Sequence, residues 1–161
     1  MTSMLVPAAN AYLYATAKAY ALHMGSTDFQ PLTAASTKLA NSFYHSFYSG
    51  GANGVFEAPV HLPQGATITS LDLILIDTDS NNDIVIALQA MPYNGTATTM
   101  VTYTSVTVAT SSQYQNINVP VSGGVINNTT NNYYFQATIS GSNSGVALKT
   151  VRVNYTVTQT E

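Results

Sequence analysis

The sequence predicts an all-β protein: an antiparallel, jelly-roll-like β-sandwich with an N-terminal arm. Three observations lead there. Short runs rich in Val, Ile, Thr and Tyr recur at regular spacing after residue 54, each run ends in turn residues, and most alternate apolar with polar positions. Strands of this kind pack as sandwiches or barrels.

The first fifty residues are the least regular. "AYLYATAKAYALHM" has the Ala and Leu of a helix, but Tyr12, Tyr14 and then Tyr20, Leu22 and Met24 recur with a period of two. Helical spacing gives this stretch no clean apolar face, so a strand is expected. Residues 1–25 are accordingly an N-terminal arm or extended strand, and residues 26–161 the β-sandwich domain. "PLTAASTKLANSFYHSFYSGG" predicts a helical turn over Thr33 to Ala40, followed by an aromatic cluster at Phe43, Tyr44, Phe47 and Tyr48 and a Gly-rich loop, "SGGANG".

The strands then follow in order. "VFEAPVHL" ends at Pro63-Gln64-Gly65, "ATITSLDLILID" at an Asp/Asn cluster, and "DIVIALQAMPY" at Asn94-Gly95, a strong turn signal. "TMVTYTSVTVAT", "QYQNINVPV", "NYYFQATIS" and "VALKTVRVNYTV" are separated by Ser111-Ser112, by Gly123-Gly124 through Asn132, and by Gly141 to Gly145. In the first of these, Val101, Tyr103, Ser105 and Thr107 share one face.

Composition narrows the function classes. The chain of 161 residues is the size of one domain. Only 7% of residues are charged, against about 25% in ordinary soluble proteins. A polar, nearly uncharged surface lets subunits pack without stranding charges, so self-association is expected. A net charge of -3, with Lys18, Lys38, Lys149 and Arg152 scattered, offers no footprint for a phosphate backbone, and no nucleic-acid partner is expected. Absence of Cys excludes disulfides, Cys-ligated zinc and thiol chemistry. No apolar run reaches the roughly 18–20 residues of a membrane span, and "MTSMLVPAANA" is not a complete signal peptide. The low charge with abundant Thr, Asn and Tyr fits a secreted or cell-surface protein. Sequons start at Asn94, Asn127, Asn128 and Asn154, as chance would produce in a chain so rich in Asn and Thr.

The segment "FEAPVHLPQGATITSLDLILIDTDSNNDIVIAL" resembles a poorly characterised group of exported bacterial β-sandwich proteins. In that group an Ala-Pro-Val-x-Leu-Pro-x-Gly-Ala segment, here Ala58 to Ala66, precedes a strand, a short Asp/Asn/Ser turn and a second strand. "GSTDFQP" and "VRVNYTV" extend the resemblance over roughly residues 20 to 157. It implies an exported jelly-roll-like domain without a defined activity. The architecture also looks like the trimeric heads of the tumour-necrosis-factor and complement type, an analogy that does not carry function.

Three groups of residues are candidates for chemistry. In "DTDSNND", Asp77, Asp79, Asn81 and Asp83 stand at alternate positions and supply up to four oxygen ligands for calcium, the one cofactor suggested. Against a helix-flanked calcium loop, Asn82 stands where Gly belongs and Leu88 where a bidentate Glu belongs. The other reading is a hairpin connection in which these side chains bond their own backbone. His23, His45 and His61 meet only through folding, with Asp28, Glu57 or Asp72 as partners, and no nucleophile, zinc or phosphate motif is present, so no enzymatic activity is expected. Phe56, Tyr134 and Tyr155 suit a core, whereas Tyr12, Tyr14, Tyr20, Phe43, Tyr44, Phe47 and Tyr48 crowd the irregular segment and suit an intersubunit interface.

These readings converge on a non-enzymatic extracellular structural protein. It would self-assemble into a homo-oligomer, a trimer or a filament, with the arm adding a strand to a neighbour. The alternative is a carbohydrate-binding or adhesive module using exposed aromatics and a calcium ion, with glycans as partners.

Overall fold

The computed structural model describes residues 13–34, 36–41, 46–51, 53–107, 114–142 and 144–159. Among them every regular element is a strand: β1 (Leu13–Gly25), β2 (Gln30–Pro31), β3 (Lys38–Asn41), β4 (Ser46–Ser49), β5 (Asn53–Val60), β6 (Thr67–Asp77), β7 (Ile84–Pro92), β8 (Thr98–Thr104), β9 (Gln115–Val125), β10 (Asn131–Ser140) and β11 (Val146–Gln159). The first sheet has the order β3-β4-β11-β6-β9, with β1 also paired to β11, and the second has the order β2-β5-β10-β7-β8. All pairings are antiparallel. From β4 onward the chain crosses between sheets so that β4, β11, β6 and β9 face β5, β10, β7 and β8, the strand order of a jelly roll.

Alternation builds the core. Leu71, Leu73 and Leu75 of β6, Phe135, Ala137 and Ile139 of β10, and Val151 and Val153 of β11 are fully or almost fully buried between the sheets. Phe47 lies against Phe29 and Phe56 at ring-centroid distances of 5.4 and 5.0 Å, the latter edge to face. A network of this kind ties β4 to β5 across the layers.

Several expectations need correction. Thr33 to Ala40 is not a helical segment: the Ser36 amide closes one turn on the Thr33 carbonyl at 3.0 Å, and the chain then extends, with Lys38 paired to Ser49. Cross-strand pairing outweighs the weak helical preference of Ala and Lys. "SGGANG" is a loop only to Gly51, because β5 already begins at Asn53. Gly123-Gly124 does not separate strands but lies within β9, where a bulge opposite Ile68 to Ser70 uses the positive φ of Gly123 (72°).

The expected arm is, over residues 13–25, the chain's own strand β1, paired with β11 from Leu13↔Gln159 to Gly25↔Thr150. Phe47 is completely buried in the core and is not available to a second subunit. Its alternation in β4 places it inward, while Tyr48 faces outward and is half-buried. Tyr20 is 43% exposed and stacks on Tyr155 with centroids 5.7 Å apart. Tyr12, Phe43, Tyr44 and His45, with the side chain of Tyr14, lie outside the described residues.

Candidate functional site

The "DTDSNND" connection folds as a turn. Asp77 ends β6 fully buried, and its carboxylate accepts a short hydrogen bond from the Ser105 hydroxyl, which in turn accepts the Ile84 amide at 2.9 Å. The Asp79 carboxylate accepts the Asn81 amide at 2.9 Å and the Asn82 side-chain amide at 2.8 Å. Such self-bonding is what Asp and Asn supply in turns. Asn81 and Asp83 are exposed, and the Asp83 backbone amide donates to the Ser140 hydroxyl at 2.7 Å. Gly141 (φ 75°) packs against this turn so closely that a Cβ would meet the Asn82 side chain at 2.7 Å. The carboxylates of Asp77 and Asp79 are thus engaged by Ser105 and by the turn itself, and among the described residues no group of three or more His, Asp or Glu side chains is placed to hold a metal.

Two other places gather polar side chains. The first is at one end of the sandwich, where β5 runs out into His61-Leu62-Pro63, β10 begins and β7 turns into β8. A groove of about 620 Å³ lies there, with Tyr93, His61, Asn131 and Asn132 on its walls and Val60 and Leu62 beneath. Tyr93 is 63% exposed, yet its amide donates to the Thr130 carbonyl at 3.1 Å and its hydroxyl to the Asn128 carbonyl at 2.7 Å. The aromatic plane is thus pinned at both ends while facing solvent. The loop behind it is equally well held: the Asn127 amide donates to the Tyr133 hydroxyl at 2.7 Å, the Asn128 amide to Gln64 Oε1 at 2.6 Å, and the Asn128 side chain to the Leu62 carbonyl at 2.8 Å. The exposed side chains of His61 and Asn132 have no hydrogen-bond partner among the described residues. An apolar plane beside free donors and acceptors suits a ligand with one apolar face and many hydroxyls.

The second place is the outer face of the first sheet. Register aligns one residue from each of four strands: His23 with Arg152, Arg152 with Asp72, and Asp72 with Asn118. Strands sit about 4.8 Å apart, so the row spans about 14 Å. The Asp72 carboxylate accepts the side-chain amides of Asn118 at 2.6 Å and Asn154 at 2.8 Å, and Arg152 Nε stands 3.7 Å away. Chiefly through the Asn154 and Asn118 bonds, and then through the charges of Arg152 and His23, Asp72 is held below the ordinary 3.8 despite partial desolvation. The row and Ile74, Asn116 and Thr150 enclose a depression of about 480 Å³.

Between the two places, His23, His61 and Asp28 border a smaller depression beside Pro59, which shares His61 with the first place and His23 with the second. The structure thus brings His23 near Asp28, Asp72 and His61, the meeting that the sequence left to folding. Tyr93, Asn132 and Asn118 were not singled out in the sequence. The signal for Tyr93 was its place immediately before Asn94-Gly95, a turn that carries an aromatic into solvent.

The class defined by this architecture is the antiparallel jelly-roll β-sandwich. No protein-family model matches the chain, and no curated protein matches it significantly. Among solved structures it is similar to the C-terminal CBM6 of LamC, a marine laminarinase from Zobellia galactanivorans, with a TM-score of 0.57 and 9% identity over 83% of this chain and 98% of that one. It is also similar to the carbohydrate-binding module CBM6cm-2 of Cellvibrio mixtus lichenase 5A, solved with cellotriose, with a TM-score of 0.52 and 11% identity over 83% of this chain and 95% of that one. At such identities the likeness establishes the fold.

Proposed function

We propose that this domain is a non-catalytic carbohydrate-binding module acting outside the cell, and that the groove at Tyr93 takes a neutral glycan. The observation that carries the reading is the pinned ring of Tyr93, an aromatic face held at 63% exposure where burial would ordinarily be favoured. A sugar ring covers such a face while its hydroxyls reach His61, Asn131 and Asn132. Preorganisation matters because side chains already fixed lose little entropy on binding. The two sandwiches named above are carbohydrate-binding modules, which supports this choice over a purely structural role.

Titration calorimetry with β-glucan and β-galactan oligosaccharides tests it. Wild-type protein binds at least one of them, and Tyr93→Ala weakens that binding by at least about tenfold through loss of the apolar contact, while the fold loses only the hydroxyl's hydrogen bond to Asn128, about 1 kcal/mol. Absence of binding to every neutral glycan tried overturns the reading.

Self-association is the second reading, favoured by β1. This strand pairs only with β11 among the described residues, leaving a 13-residue edge on which Lys18 is the one Lys, Arg, Asp or Glu. Sedimentation of Ala21→Pro separates the readings: dissociation of an oligomer assigns that edge to assembly, and an unchanged sedimentation profile excludes it.

A further inference from the structure

We propose that the outer face of the first sheet is a second binding site, built for a carboxylate-bearing sugar and centred on Arg152. The inference goes beyond the neutral groove and stands without it.

The argument starts from the donors that remain. Arg152 is 46% exposed and presents only Nε to Asp72, at 3.7 Å. Its two terminal nitrogens have no partner among the described residues. A guanidinium fork of this geometry matches the two oxygens of a carboxylate. Asp72 faces Nε and not the terminal nitrogens, and its two oxygens also accept the side-chain amides of Asn118 and Asn154 at 2.6 and 2.8 Å. The neighbouring carboxylate, beside Arg152 across the strand pair, draws the Nε side of the guanidinium toward itself by charge.

The surroundings suit a polyol more than a bare anion. Asn118 has spent its amide on Asp72 and turns its carbonyl oxygen free, while Asn116 and His23 are exposed in the same depression. Thr150 spends its hydroxyl proton on the Met24 carbonyl at 2.7 Å, leaving an acceptor. Ile74 supplies an apolar patch between them, and no Phe, Tyr or Trp is among the lining residues. The site therefore selects by charge and hydrogen bonding where the Tyr93 groove selects by stacking, and a uronate residue supplies both the carboxylate and the hydroxyls.

The test is calorimetric titration of the full chain at low salt with tri-galacturonate and with its methyl ester. Wild-type protein binds the acid and not the ester, and added salt weakens the binding. Arg152→Gln lowers affinity for the acid by at least about tenfold, whereas Lys18→Gln, which removes one positive charge elsewhere on the surface, leaves it unchanged. Equal affinity for acid and ester, equal loss in both variants, or no binding of the acid by wild-type protein overturns the proposal. Neutral-glycan titrations on the same two variants keep the readings apart: retention of neutral binding in Arg152→Gln is expected, and failure of acid binding alone leaves the Tyr93 groove standing.

Discussion

The end of the sandwich around Tyr93 and the outer face around Arg152 hold similar polar atoms by different means. At the sandwich end, loop backbone does the holding: carbonyls of Asn128 and Thr130 fix Tyr93, and Gln64 and Tyr133 fix the loop. On the sheet face, strand register does it, placing His23, Arg152, Asp72 and Asn118 in one line with no loop involved. A loop site depends on a few hydrogen bonds and is sensitive to each. A strand site inherits its geometry from the whole sheet, and its parts fail more independently.

Both regions rest on one core, so the largest effect erases the comparison altogether. Phe47→Ala costs about 3–5 kcal/mol of stability, read by urea denaturation, and weakens both proposed binding activities together by depopulating the fold. A smaller loss for this fully buried ring would place the centre of the core elsewhere. Next comes Tyr133→Phe, which strips the Asn127 amide of its acceptor and costs about 1–3 kcal/mol. Hydrogen exchange should quicken over Asn127 to Asn131 while β6 and β11 keep their protection; uniform quickening would show that loop and sheet open as one unit.

Tyr93→Phe acts more gently. It keeps the ring but frees it from the Asn128 carbonyl, a loss of about 1 kcal/mol, or about fivefold in neutral-glycan affinity measured by calorimetry. An effect as large as that of Tyr93→Ala would assign the affinity to the pin and not to the aromatic plane.

The smallest effect concerns the sheet face. The folded-state pKa of Asp72 lies below the ordinary 3.8, so the folded protein binds this proton less readily than the unfolded chain. Its contribution to stability is complete above 3.8 and is lost as pH falls through the lowered folded value. Asp72→Asn should therefore cost about 1 kcal/mol at neutral pH, a figure reduced by the partial exposure of the group. The gap from wild type should close in acid, as followed by urea midpoints; a constant gap would make the loss one of packing.

Much of the fold was legible because local periodicity and burial agree along β6, β7, β10 and β11. Each of those strands alternates or runs apolar where it is covered on both sides, and β6, β7 and β10 each end in a turn that its own residues prefer. Agreement failed at "KLANSFYHSFY", where two four-residue strands are too short to show a period and Phe47 was assigned to an interface. Lys38 belongs to the same difficulty. It bridges the Ser26 carbonyl and the Phe29 carbonyl, the latter at 2.6 Å, and stands 5.1 Å from the Phe47 ring centroid, contacts that no local pattern encodes.

By itself the sequence determined the all-β class and the strand boundaries from residue 67 to Pro92, and it offered a turn as one of two readings of "DTDSNND", because each follows from residues within a few positions of one another. Tertiary structure alone decided what the side chains meet. Asp77, which the sequence offered both as a turn residue and as a calcium ligand, lies buried on Ser105; Arg152, Asp72, Asn118 and His23, separated by up to 129 positions, stand in one row because three strand registers align them. Pairing register is a global property of the sheet, set by which faces are buried and not by neighbours along the chain, and it forms this row where no motif marks it.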